Sequence, residues 1–219
     1  MQNNVILHLQ LLLLSSMAKK FDPRTFLEKS IIYNTYQYIV GGVRARRLFI
    51  ENDVSVKANQ KILDIGCGPG YLIDFLPEVD YTGIDIDSNY IKTAKERYKD
   101  KTFYCTSIEK FNLEAPHTFD IVITAGVIHH LDDVQASTLF ELAKKALKPN
   151  GRLVTLDGCF LDKQNLISKT LLKYDRGKFV RHEDEYFYLA SKHFNNVSAK
   201  IEDKYFHIPY SLIIMNCKN

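Results

Sequence analysis

Lys61-Ile62-Leu63-Asp64-Ile65-Gly66-Cys67-Gly68-Pro69-Gly70 constrains the fold more than any other stretch of the chain. Ile62, Leu63 and Ile65 suit a strand buried on both faces, the environment of a parallel sheet. Gly66, Gly68 and Gly70 then let the backbone turn sharply and approach a ligand closely. Tyr71 to Leu76 read as the first turns of a helix whose N–H groups and positive dipole end point back at that loop. A dinucleotide fingerprint, Gly-x-Gly-x-x-Gly, requires glycine where Tyr71 stands, so pyrophosphate binding is disfavoured. Asp64 points the same way, since a carboxylate there repels a pyrophosphate but can order the loop or attract a cation.

A second acidic position follows at a fixed interval. Tyr81-Thr82-Gly83-Ile84-Asp85-Ile86-Asp87 reads as a strand ending in carboxylates, with Asp85 lying 85 − 64 = 21 residues beyond Asp64. One carboxylate at such a strand end can accept both hydroxyls of a ribose.

With these two motifs the sequence resembles the class I S-adenosylmethionine-dependent methyltransferases. Ile62 to Gly70 looks like the family's first motif and Gly83-Ile84-Asp85 like the acidic end of its second strand. Phe119-Asp120-Ile121-Val122-Ile123-Thr124-Ala125-Gly126-Val127-Ile128-His129-His130-Leu131 is similar to its fourth-strand motif, and Leu147-Lys148-Pro149-Asn150-Gly151-Arg152-Leu153 to the turn before its fifth strand. The resemblance covers Lys61 to Asp157 and implies S-adenosylmethionine as cofactor. It assigns the cofactor contacts to Asp64, Gly66, Cys67, Gly68, Asp85, Ile86, Ser107, Ile108 and Ala125, with Asp85 on the ribose. The family often carries an acid after the third strand to meet the adenine amino group. Here that segment is Cys105-Thr106-Ser107-Ile108-Glu109, where a hydroxyl of Thr106 or Ser107, or the backbone near Ile108, stands in its place.

The expected fold is α/β, a Rossmann-like doubly wound sheet of seven mainly parallel strands with helices on both faces and an antiparallel C-terminal edge. After Lys61 the alternation of apolar runs and helical periodicity carries the parallel part. Ser88 is read as the cap of a helix to Tyr98, Thr102 to Thr106 as the third strand and Phe119 to Thr124 as the fourth. Asp132 and Asp133 open a helix that Lys144, Lys145 and Lys148 close, in keeping with its dipole. Arg152 to Leu156 form the fifth strand, Leu161 to Tyr174 and His182 to Phe194 two further helices, and Val197 to Ile201 and Phe206 to Met215 the terminal strands.

Residues 1–18 read as an apolar extension. Val5 to Leu14 is as apolar as a signal-peptide core but has no preceding Lys or Arg, and it is shorter than the roughly 20 residues that span a bilayer. Residues 19–219 are assigned to one methyltransferase domain: a helical cap at 19–58, the cofactor core at 59–157, and acceptor-side helices and terminal strands at 158–219. Asp22 to Phe49 reads as helical with a break at Gly41-Gly42. Arg44, Arg46 and Arg47 then form a basic helix face that can also meet a carboxylate, and Tyr33, Tyr36 and Tyr38 an aromatic wall.

A net charge of +3 is too mild for a nucleic-acid footprint, and the scattered Cys67, Cys105, Cys159 and Cys217 show neither metal spacing nor a Cys-x-x-Cys pair. The expectation is a cytoplasmic protein with no bound metal, no nucleic-acid partner and no stable membrane insertion; a homodimer is left open.

Methyl transfer from a sulfonium is an in-line displacement in which alignment and desolvation do much of the work. An oxygen acceptor gains from a base, for which His129, His130 and His182 are candidates, and Asp157 can orient the acceptor. Side chains of adjacent residues leaving a strand diverge, so at most one of His129 and His130 is expected to face the site; a histidine there can equally pack beside the cofactor or hydrogen-bond the backbone. The expected acceptor is a small molecule with a hydroxyl, of glycan, lipid-linked or polyketide-like kind. Two alternatives stand beside it, a cofactor-binding but silent partner subunit and a Rossmann-type NAD-dependent oxidoreductase.

Overall fold

In the computed structural model residues 41–174 and 177–219 are described, and all fall in one compact unit, Val40–Asn219. The expectations for residues 1–40, including the extension, the first cap helix and the three tyrosines, lie outside the described residues.

Gly41, in the left-handed region at φ 87°, starts helix α1 (Gly42–Leu48). The helix does not stop at Phe49 but runs on as a π-helical stretch, Phe49–Val54, because Phe49, Ile50 and Val54 are buried in the core while Glu51 faces solvent. Then come β1 (Lys61–Ile65), β2 (Asp80–Asp85), α2 (Ser88–Arg97), β3 (Thr102–Cys105), β4 (Phe119–Ala125), α3 (Asp133–Ala146), β5 (Leu147–Phe160), α4 (Leu166–Lys173), β6 (Arg181–His182), α5 (Glu183–Ser191), β7 (Asn196–Glu202) and β8 (Leu212–Lys218).

The sheet runs β3-β2-β1-β4-β5-β8-β7, with the two-residue β6 paired to the end of β5. The neighbours from β3 to β5 are parallel, and β8 is antiparallel to both β5 and β7, as the sequence implies. Alternate residues feed two cores. Leu63, Val122, Leu153 and Met215 pack with α3 and α5 on one face, and Ile62, Tyr81, Ile121 and Val154 pack with Phe49 and Val54 on the other.

Several boundaries differ from expectation, among them the start of α4, which is Leu166 rather than Leu161. Between β1 and β2 there is no α-helix, only a 3-10 turn at Ile73–Phe75, because Pro77 holds Leu76 extended at ψ 146° within a few residues of Gly70. The cap of α2 is Asp87, whose carboxylate accepts the Asn89 and Tyr90 N–H groups, one residue before Ser88. The Lys148-to-Gly151 segment is a bulge within β5, with Gly151 against the Phe119 and Asp120 carbonyls, rather than a turn before it. Phe206 to Ser211 stay outside β8, where Phe206 and Tyr210 pack ring against ring.

Candidate active site

Gly66, Gly68 and Gly70 all adopt positive φ, at 77°, 53° and 78°, which ends β1 in a tight loop. A methyl on Gly66 would lie 2.3 Å from Val127 Cγ2, so the loop rests directly on the segment leaving β4. On Gly68 it would meet nothing within 4 Å, so that side of the loop forms an open cradle.

Asp85, half-buried at the end of β2, braces the cradle. Its Oδ2 accepts the Gly68 N–H at 2.9 Å and its Oδ1 the Asp87 N–H at 2.8 Å. The Thr106 N–H donates to the Asp85 carbonyl, which brings the Thr106-Ser107 step beside the same strand end. Ser107 precedes the 3-10 turn Ile108–Lys110, and Ile108 packs half-buried against the first core. Ile86 stands exposed on the rim, and Ala125 closes β4.

Cys67 contributes its backbone alone. Its side chain turns into the core, where a methyl on Gly83 would meet Sγ at 2.8 Å, and burial pushes the thiol far above its usual range. Of the four cysteines only Cys105 is exposed.

Under the loop, Asp64 is buried. Tyr81 donates its hydroxyl to Asp64 Oδ2 at 2.6 Å, and Asp64 Oδ1 has no hydrogen-bond partner. Desolvation raises this carboxyl to about 7, opposed by the Tyr81 hydrogen bond and reinforced by the Asp85 charge. Tyr81 was not foreseen as a site residue. The available signal was register: Ile62 pairs with Tyr81 and Asp64 with Gly83, so the tyrosine lies diagonally beside the acid on the same face.

The loop fits S-adenosylmethionine better than a dinucleotide. Without an α-helix behind the loop there is no helix N-terminus to hold a pyrophosphate. Tyr71, in the place of the missing glycine, lies between the guanidinium groups of Arg46 and Arg97, 5.1 Å and 4.7 Å from its ring centre. The open cradle at Gly68 with the Asp85 carboxylate beside it offers hydrogen-bond acceptors to a hydroxyl-bearing ligand.

The segment after β4 forms the second half of the site. Gly126, at φ 72°, leads into a 3-10 turn, Ile128–His130. His129 turns inward and donates from Nδ1 to Asp157 Oδ1 at 2.8 Å, and its backbone N–H reaches the same oxygen at 3.2 Å. An ionised carboxylate only accepts, which puts the ring proton on Nδ1. His130 is exposed. The two rings do not diverge as expected but lie 4.2 Å apart, because they leave a tight turn rather than a strand. The fifth strand runs past its expected end at Leu156 to Phe160, so Asp157 lies within β5, buried and with Oδ2 lacking a partner. His182 stays apart from this pair, exposed at the start of α5.

Arg181 is a second residue the sequence did not single out. Buried, it donates to the carbonyls of Ile128, Leu131 and Phe179 and pairs with Asp133 at 2.8 Å, so it clamps the histidine turn to the start of α3. Gly177 lies against the His129 ring, and the Phe179 N–H donates to the His129 carbonyl. Asp132 and Asp133 are helix-opening residues, as expected; Asp132 forms a capping box with Gln135. Of the basic helix face, Arg44 donates to the Tyr205 carbonyl, Arg46 stacks on Tyr71 and Arg47 is exposed. Among the described residues no His, Cys, Asp and Glu cluster could hold a metal, and no helix is long and apolar enough to cross a membrane.

Comparison with known proteins agrees with this geometry. The family described as "Methyltransferase domain" matches residues 63–153. The chain is 32% identical over 111 residues to the ubiquinone biosynthesis O-methyltransferase of Idiomarina loihiensis, covering 48% of this chain but only 45% of that enzyme. It is 28% identical to the phosphoethanolamine N-methyltransferase of Plasmodium falciparum, covering 85% of this chain and 80% of that one. In structure it superposes on a TehB-like SAM-dependent methyltransferase from Corynebacterium glutamicum with TM-score 0.61 and 18% identity, covering 90% of this chain and all of that one. Residues 63–153 match a methyltransferase domain, and the sheet has the fold of the class I methyltransferases, whose cofactor is S-adenosylmethionine.

Proposed function

We propose that this chain transfers a methyl group to a small-molecule acceptor, with Asp85 on the cofactor ribose and the His129–His130 turn at the acceptor end. One observation carries this reading: the contact of Gly66 with Val127 gives the cofactor loop and the histidine turn a common wall. A methyl donor bound in the loop therefore lies beside the residues available to an acceptor.

Bound S-adenosylmethionine supplies an activated methyl group on a sulfonium. An acceptor's proton needs a base. Asp157 fixes the tautomer and orientation of His129, and the adjoining His130 reaches solvent, so the pair offers an imidazole route for that proton. Asp64 and Tyr81 organise the floor of the loop.

Both relatives named above are called methyltransferases of small molecules, one acting on oxygen and one on nitrogen. We take a hydroxyl as the acceptor, because a hydroxyl gains most from a positioned base.

Calorimetric titration of the purified chain with S-adenosylhomocysteine and, separately, with NAD tests the cofactor. Saturable binding of the first alone is expected, and binding of NAD alone refutes the reading. Methyl-labelled S-adenosylmethionine with panels of hydroxyl and amine compounds then tests the acceptor, with label expected in the hydroxyl set. Cofactor binding with turnover only after a second protein is added would instead identify a partner subunit.

A further inference from the structure

Helix α4 presents an outward apolar stripe that the fold leaves uncovered. Its inward side is satisfied. Ser168 and Leu172 are buried; the Ser168 hydroxyl meets the Ser211 hydroxyl at 3.1 Å, and Leu172 fills the space above Gly158. At about 100° per residue, Leu166, Ile167 and Tyr174 fall within one arc on the other side. They are 80%, 48% and 66% exposed. Lys169 and Lys173, both exposed, border one side of that arc, and the exposed Thr170 lies within it.

Charge is concentrated in the same stretch of sequence. Residues 162–178 contain Lys163, Lys169, Lys173, Arg176 and Lys178 against Asp162 and Asp175, a net +3 that equals the charge of the whole chain. The rest of the protein is therefore neutral in sum. The acidic run Glu183, Asp184 and Glu185 lies at the start of α5. That helix packs through Tyr186 and Leu189 on the face of Ile213, whereas Gly158 pairs with Leu212 on the opposite face.

We propose that α4 is an interfacial docking helix that seats this protein on an anionic lipid bilayer, with Leu166, Ile167 and Tyr174 entering the headgroup boundary and the neighbouring lysines meeting lipid phosphates. Apolar area and basic flanks act together in such binding. A polyanion such as nucleic acid would use the lysines but gain little from a leucine that is mostly exposed, so the apolar stripe decides for a membrane surface. The helix is far too short to span a bilayer, so the association is peripheral and sensitive to salt. This goes beyond methyl transfer and does not depend on it.

The chain has no tryptophan, so Ile167→Trp introduces a single tryptophan, excited apart from the tyrosines at the red edge, at the stripe. Its emission should shift to the blue on addition of vesicles of phosphatidylcholine with phosphatidylglycerol, and not with phosphatidylcholine alone. The unmodified chain should float with the mixed vesicles and be released by high salt. Leu166→Asp with Tyr174→Asp should abolish flotation, and each of Lys169→Gln and Lys173→Gln should weaken partition by about fivefold. Unchanged thermal unfolding of these variants shows that the fold is retained, and Glu183→Gln serves as a control that leaves flotation unaltered. Absence of flotation, equal binding to neutral vesicles, binding of nucleic acid but not vesicles, or a dimer in solution that Leu166→Asp dissociates would each overturn the proposal.

Discussion

Oδ2 of Asp85 accepts the Gly68 N–H at 2.9 Å, so the carboxylate at the end of β2 holds the glycine loop as well as facing the cofactor cradle. Asp85→Ala removes both roles. Affinity for S-adenosylhomocysteine should fall by about 1.5–3 kcal/mol, the scale of hydrogen bonds to a charged group, as read by calorimetry. Unchanged affinity would remove Asp85 from the site.

Gly66 and Gly68 should respond in opposite ways to the same substitution. Gly66→Ala drives a methyl to 2.3 Å from Val127 at positive φ, and thermal unfolding should show a loss of about 2 kcal/mol or more. Gly68→Ala meets no protein atom within 4 Å, so its stability loss should be about 1 kcal/mol, while S-adenosylhomocysteine binding weakens because the methyl occupies the cradle.

Asp64 should make stability depend on pH near neutrality. Its folded carboxyl titrates at about 7 against an ordinary 3.8, so the folded state holds the extra proton in that interval. The contribution is fully present below about 4, is lost as pH rises through 7, and amounts to at most about 4 kcal/mol. Urea unfolding at a series of pH values should show this slope, and Asp64→Asn should flatten it. Tyr81→Phe removes the hydrogen bond that favours the charged form, so it should move the midpoint upward and deepen the loss at alkaline pH.

Asp157 should separate orientation from folding. Asp157→Asn keeps an oxygen for His129 Nδ1 and should leave the unfolding temperature nearly unchanged, yet lower the turnover of any identified acceptor. Asp157→Ala leaves both the His129 ring and its backbone N–H without their acceptor and should destabilise the fold by about 2–4 kcal/mol. Equal turnover in the Asn variant and the unmodified chain would place the pair outside the reaction.

The parallel core was legible because β1 and β4 are buried on both faces, and such strands read as uninterrupted apolar runs such as Ile121-Val122-Ile123. The loop glycines and Asp85 were legible for a related reason: positive φ and a strand-end carboxylate tie function to local sequence. The helix expected at Tyr71 is a single 3-10 turn because Pro77 holds Leu76 extended, which the apolar residues before it do not reveal. Tyr81 and Arg181 gave little sign, since their partners come from other strands and turns.

Taken alone, the sequence determined the order of strands and helices, the glycine loop and the acid 21 residues beyond Asp64, because each depends on backbone freedom or burial within a few residues. Tertiary structure decided which of His129 and His130 is buried, what Asp157 holds, and that burial lifts the Asp64 carboxyl to about 7. Those outcomes depend on side-chain direction after Gly126 and on neighbours 17 to 28 residues away, which only the packed sheet brings together.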